Sequence, residues 1–126
     1  MFTERYFVDE KKKIVVCKLE NCSNTLICDM CHKNWPGHEA LVIDDVFTGK
    51  AKCSDEDTFD VEIGKRIAYK RAVTKLVNAK RRTLIDFLDA NTKFMERLTA
   101  DCNKLIGRYE GTINRKDQDI EKILAE

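Results

Sequence analysis

The region of the chain after Asp57 contains no proline, and its apolar residues recur at intervals close to a heptad. Val77, Leu84, Leu98 and Leu105 follow one track of this repeat. Repeats of this kind are typical of helices that pack along a seam. The C-terminal half of the chain is therefore predicted to be helical.

The length of this region predicts two helices rather than one. A single straight helix over Phe59–Tyr109 would extend about 75 Å at 1.5 Å per residue, which is long for a small sheet to support. We therefore expect a break at residues 78–82 and two antiparallel helices. Gly107 and Gly111 then provide stop signals, and residues 114–126 form a short helix or tail.

Short strands are predicted before residue 54. Residues 5–8 and 14–19 are rich in β-branched and aromatic side chains, and the charged residues 9–13 separate them. This arrangement is typical of a hairpin. Residues 41–48 show a further strand pattern, and residues 49–53 continue it across a bend. Three or four antiparallel strands are expected.

The chain changes from sheet to helix within Gly49–Leu76. Asp57 and Asp60 have the spacing of a helix N-cap and its returning acid, and acids interact favourably with a helix N-terminus. Lysine and arginine residues occupy the opposite side of the following helix from its apolar face. That face is expected to pack, and it contains Val61, Ile63, Ile67, Ala68, Ala72, Val73 and Leu76.

These patterns predict one α+β domain that associates through its helices. It comprises an antiparallel sheet at 1–53 with a cysteine-rich connection at 20–40, helices at 57–110 and the C-terminal helix or tail at 114–126. A chain of 126 residues buries a modest fraction of its surface. Association with further copies would add to that buried surface.

Composition and charge indicate which partners and which cellular compartment to expect. A formal net charge of +1 argues against a protein that coats nucleic acid. No apolar run reaches the roughly 18 residues of a membrane span, and the N-terminus lacks a signal-peptide pattern. We therefore expect a cytoplasmic protein that does not enter a membrane and whose cysteines are reduced.

Cys28 and Cys31 form a C-x-x-C motif, which allows two thiolates to meet one tetrahedral metal ion. A structural zinc site would require a second pair of ligands. Cys17, Cys22, His32 and His38 are near enough in sequence to supply it. Their spacing matches no zinc ribbon or knuckle, so the alternative is reduced cysteines packed within a strand connection.

Catalysis is not expected. The chain has no phosphate-binding glycine loop, no G-x-S-x-G motif and no paired carboxylates in an apolar context. The acids between Asp55 and Asp60 are explained as loop and cap residues. A binding protein is therefore the expected class.

Guanidinium groups and aromatic rings occur together in the helical region. Arginine suits phosphate oxygens, aromatic rings stack on bases, and an asparagine amide can read a base or ribose edge. Alternatively, Phe87 and Phe94 pack in the seam, and Asn91 fixes the helix register. The ligand-binding candidates are Arg81, Phe87, Asn91, Arg108 and Tyr109.

Three motifs in Gly49–Leu76 carry a family resemblance: a G-x-A-x-C strand, a D-x-D-T-F-D turn and a G-K-x-I-A-x-x-R-A helix. With the order of sheet and then helices, they resemble phage and prophage proteins of the anti-Thoeris sponge family. The resemblance implies a non-enzymatic counter-defence protein in the host bacterial cytosol. Such a protein sequesters cyclic ADP-ribose isomers made by TIR-domain defence enzymes and so prevents activation of the effector.

The resemblance also implies an assembly and a site. Family members form dimers and in some cases hexamers, with ligand pockets at subunit interfaces, and some hold cyclic oligonucleotides elsewhere. Arginine, asparagine and an aromatic residue of the helical part form the nucleotide pocket. Asn91 and Arg108 match that set, with Phe87 as the aromatic. The cysteine-rich segment Cys22–His38 departs from the family.

Two other functions fit the same residues. Strands followed by a helix with a basic face suit a module that recognises double-stranded RNA through phosphates and 2′-hydroxyls. The low net charge counts against it. The second is a phage structural or adaptor protein whose helices serve only for assembly.

Overall fold

The computed structural model describes residues 1–30 and 35–126, which form two compact units, Met1–Phe87 and Leu88–Glu126. The α+β architecture is confirmed: a three-stranded antiparallel sheet is followed by a long helix. The elements are β1 (Thr3–Asp9), β2 (Ile14–Glu20), α1 (Thr25–Asp29), a 3₁₀ turn (His38–Ala40), β3 (Phe47–Lys52) and α2 (Val61–Ala125). Within these described residues, no helix is both long and apolar enough to cross a membrane.

The predicted hairpin is confirmed as β1 and β2. The strand order is β1-β2-β3, and Tyr6, Cys17 and Gly49 lie opposite one another across the three strands. Alternate residues of the central strand, Val15, Cys17 and Leu19, are fully buried. Those between them are half-buried, so β2 has one face in the core and one face turned outward.

The strand predicted from residue 41 begins too early, because pairing starts only at Phe47; its continuation through Lys52 is confirmed as β3. Leu41 and Ile43 are nevertheless buried, which explains their strand-like apolar pattern. Asp45 fixes this irregular segment: its carboxylate accepts hydrogen bonds from the Ser23 backbone N–H at 3.1 Å and hydroxyl at 2.7 Å. These hydrogen bonds hold the pKa of the Asp45 carboxyl below its usual value.

Helix α2 packs on the sheet through a narrow stripe of mostly small residues. A side chain at Gly49 would overlap the backbone of Ala68 and Ala72, so strand and helix approach very closely here. Ile63 and Ile67 of the predicted packing face are instead exposed to 52% and 40%. The buried positions of α2 are Gly64, Ala68, Ala72 and Leu76.

The N-cap predicted at Asp57 is wrong. Asp60 caps α2, because its Oδ1 accepts hydrogen bonds from the backbone N–H groups of Glu62 at 3.0 Å and Ile63 at 3.2 Å. Asp57 instead lies in a turn whose N–H donates to the Ser54 carbonyl at 3.1 Å. Because the cap lies at Asp60, residues 57–59 precede the helix, and one of them, Phe59, packs against the core.

The predicted break at residues 78–82, and with it the helical hairpin, is wrong: α2 is one continuous helix over Val61–Ala125. Residues 78–82 contain good helix formers, and Lys80 Nζ contacts Asp29 Oδ2 at 2.7 Å. Gly107 and Gly111 lie within the helix, because an interior glycine costs only about 1 kcal/mol. Residues 114–125 are the last turns of the same helix rather than a separate one.

Candidate functional site

The second unit, Leu88–Glu126, is a stretch of α2 in which no side chain is buried. Its apolar side chains follow the spacing of three and four residues that defines a coiled-coil seam. A helix in a protein gains most of its stability by packing such a face. The seam comprises Leu88 (65% exposed), Met95 (54%), Leu98 (43%), Leu105 (41%) and Tyr109 (61%), with Asn91 and Cys102 at the intervening positions.

An open groove of about 680 Å³ lies beside this seam near its N-terminal end and shares Leu88, Asn91 and Met95 with it. Asn91 is half-buried in it, and Thr99 and Ala100 are its small residues. The groove lies on one helix and is open to solvent, so one copy does not enclose a ligand in it. The groove is lined by Leu88, Asn91, Thr92, Met95, Glu96, Thr99, Ala100 and Asn103.

The structure places Asn91, Arg108 and Tyr109 in the second unit and Arg81 and Phe87 in the first. Arg108 and Tyr109 are exposed. Asn91 and Arg108 are separated by 17 positions of one helix, which corresponds to about 25 Å. One copy therefore does not bring these two side chains together on one small ligand.

The first-unit candidates have different environments. Phe87 is half-buried and packs against the core of the first unit. Arg81 is exposed and lines a shallow cavity of about 270 Å³ with Arg82, Ile85 and Asp86. Of the two, Arg81 is the side chain that is accessible to a ligand.

The zinc prediction rests on Cys28 and Cys31. Cys28 is exposed, whereas Cys31 and His32 are outside the described residues. Cys17 and Cys22 are buried, and burial raises the pKa of both thiols, which favours their neutral form. In the part of the chain that the structure describes, no three potential metal ligands lie together.

Sequence reasoning missed a polar cavity of about 340 Å³ where β1 faces the first turns of α2. The Tyr6 hydroxyl donates to Glu4 Oε2 at 2.9 Å, and Lys65 Nζ lies 5.5 Å from the centroid of the Tyr6 ring. Burial, and then the hydrogen bond to Glu4, raise the pKa of Tyr6 far above its ordinary value. The sequence feature that could have predicted this cavity is the alternation of side chains along β1, which places Glu4 and Tyr6 on the face toward the helix.

Comparison with family models, curated proteins and solved structures found no match to this chain.

Proposed function

We propose that this protein is a sponge for a cyclic nucleotide immune signal, a cyclic ADP-ribose isomer, which it holds without turnover between the α2 helices of two copies. The observation that carries the proposal is the exposed groove around Asn91, on a helical unit that buries none of its own apolar side chains. Such a face requires a partner. The motifs of Gly49–Leu76 supply the class of ligand by resemblance.

An antiparallel pairing of two copies supports this proposal. If the pair is centred on Ala100, Met95 lies opposite Leu105 of the second copy and Leu98 lies opposite Cys102, so apolar positions of the seam meet. In that register Asn91 lies opposite Tyr109 of the second copy. Arg108 of the second copy is adjacent to that tyrosine. Two copies would thus bring together donors and a ring that one copy keeps about 25 Å apart.

The resulting site suits binding rather than chemistry. A guanidinium group can engage phosphate oxygens with two parallel hydrogen bonds, and the tyrosine ring provides a stacking surface for a base. The asparagine amide supplies both a donor and an acceptor for a ribose or base edge. Sequestration requires no general base.

Calorimetric titration with cyclic ADP-ribose isomers tests the proposal directly. We expect saturable binding, and recovery of the ligand chemically unchanged after the protein is denatured. Linear ADP-ribose serves as the control ligand, because it has the same phosphates and base without the cyclic constraint. A hydrolysed product would contradict sequestration, and a lack of binding by every isomer would contradict the choice of ligand.

Substitution of Arg108 tests the site. Arg108→Ala should weaken ligand affinity by about 2 to 4 kcal/mol, because a phosphate bound away from water loses its charged donor. Assembly should be unaffected. Arg115→Ala is the matched control, since Arg115 is an exposed arginine one heptad further along the same helix, and it should leave affinity unchanged. Loss of dimerisation in Arg108→Ala would instead make Arg108 a structural residue.

A second candidate function is a structural or adaptor protein in which α2 serves only for assembly. The observation that favours it is that Arg108 and Tyr109 are exposed while Phe87 packs against the core of the first unit, so one copy encloses no ligand. Calorimetry and sedimentation together distinguish the two. Assembly without binding of any cyclic nucleotide would favour the adaptor.

A further inference from the structure

A second surface, independent of α2, lies on the face of the sheet opposite the helix. We call it the outer face. On β2 and β3 its residues alternate with buried ones, and each side chain of the face is exposed or half-buried. It comprises Thr3, Arg5, Phe7 and Asp9 of β1, Ile14, Val16, Lys18 and Glu20 of β2, and Thr48, Lys50 and Lys52 of β3.

The centre of the outer face is aromatic and apolar. The Phe7 side chain is 49% exposed, and Val16 lies opposite it on the central strand. The Arg5 guanidinium carbon lies 5.6 Å from the centroid of the Phe7 ring, a cation–π contact that restrains the ring. Arg5 therefore lies over one face of the ring, and a base would stack on the part of the ring that remains exposed.

The periphery of the outer face is basic. Arg5, Lys18, Lys50 and Lys52 outnumber Asp9 and Glu20 by two charges, whereas the net charge of the whole chain is +1. Glu20 Oε1 contacts both Arg5 at 3.1 Å and Lys18 at 3.6 Å. Among the described residues, no carboxylate pairs with Lys50 or Lys52.

The register places these charges within reach of the ring. Lys50 lies in the same cross-strand row as Phe7 and Val16. Lys52 lies in the next row, two residues along the strand, or about 6.8 Å away. Neighbouring strands are about 4.8 Å apart. One base stacked on Phe7 would therefore have its flanking phosphates near the lysines of β3.

We propose that the outer face binds single-stranded nucleic acid, with one base stacked on Phe7 and its flanking phosphates bound by Lys50 and Lys52. Open sheets that combine an aromatic platform with lysine and arginine recognise single strands in this way, because unpaired bases can stack while the backbone follows the charges. A duplex offers no exposed base to the ring. An anionic lipid surface fits less well, because interfacial binding requires apolar side chains that enter the lipid, and Phe7 and Val16 lie within a flat sheet.

Fluorescence anisotropy of the full-length protein with short labelled oligo-dT and oligo-U tests the inference. We expect saturable binding that weakens as salt increases, with a logarithmic slope of about −0.7 for each phosphate contact. A duplex of the same length should bind more weakly. Vesicles of phosphatidylserine and phosphatidylcholine are the lipid probe, and a preference for them would overturn the proposal.

Two variants and a matched control locate the site. Lys50→Glu/Lys52→Glu should weaken binding at least tenfold, because two phosphate contacts become repulsive. Phe7→Ala should weaken it about fivefold or more through loss of stacking. Lys70→Glu/Lys75→Glu makes the same charge change on the exposed side of α2, and it should retain most of the affinity.

The outcomes separate a site from a general charge effect. Equal losses in the two double variants, or full affinity in Phe7→Ala, would overturn the proposal, provided that far-UV circular dichroism shows each variant folded. The lysines of β3 are not part of the α2 groove. Calorimetry with cyclic ADP-ribose isomers should therefore be unaffected in Lys50→Glu/Lys52→Glu, so the two proposals succeed or fail separately.

Discussion

Individual residues of the Gly49–Leu76 motifs have a packing role. Gly49, Ala68 and Ala72 lie where β3 and α2 approach most closely. The Arg71 Nη1 atom donates to the Lys50 carbonyl at 2.7 Å, which ties the helix to the strand. These motif residues therefore hold β3 against α2 in this chain, while the proposed ligand contacts lie further along α2.

Gly49→Ala should destabilise the protein by about 3 kcal/mol, because the new methyl group would overlap the backbone of Ala68 and Ala72, which cannot move as a side chain can. Gly107→Ala is the control: a Cβ there meets no atom within 4 Å, so it should stabilise α2 by about 0.5 to 1 kcal/mol. Urea denaturation measures both. Equal stability of Gly49→Ala and the wild type would contradict the close packing.

At the scale of elements, the start of α2 depends on one side chain. Asp60→Ala should cost about 1 kcal/mol of stability, because two backbone N–H groups of the first turn lose their acceptor. Asp57→Ala removes a carboxylate from the preceding turn and should change the free energy of unfolding by less than about 0.5 kcal/mol. Thermal unfolding of the two variants compares them. A larger loss of stability in Asp57→Ala than in Asp60→Ala would place the cap at Asp57.

The elements also show which features local sequence determines. The β1–β2 hairpin was predictable, because strand patterns flank a charged turn. The start of β3 was predicted too early, because Leu41 and Ile43 are buried without pairing and periodicity indicates burial rather than hydrogen bonding. The break at residues 78–82 was inferred from the size of the sheet, whereas local helix propensity and the contact of Lys80 with Asp29 favour continuity.

The candidate site was predictable only in part, for a different reason. Heptad spacing identified Asn91 as a residue of the seam, and the structure places it in the groove. Its proximity to Arg108 depends on a second copy, and no pattern within one chain determines the register between copies. The outer face was missed because Phe7, Lys50 and Lys52 lie on different strands and share a face only once β2 aligns them.

At the scale of the whole molecule, we predict from the exposed seam that the protein associates with further copies. Sedimentation velocity should show a species larger than the 14.6 kDa monomer. Leu98→Lys/Leu105→Lys should shift it toward the monomer, because lysine charges would have to be buried in the seam. The loss of packing should also reduce the helical signal of the second unit in circular dichroism, since a lone amphipathic helix has lost its main source of stability.

Ala90→Lys/Asn114→Lys is the control for this prediction. It adds the same two charges to exposed positions of α2 outside the seam, and it should leave both the sedimentation coefficient and the helical signal unchanged. Concentration dependence adds a further criterion, because association shifts with protein concentration whereas helix propensity does not. A wild-type protein that remains monomeric and helical at high concentration would show that the seam is not an interface between copies, and the two-copy nucleotide site would be lost with it.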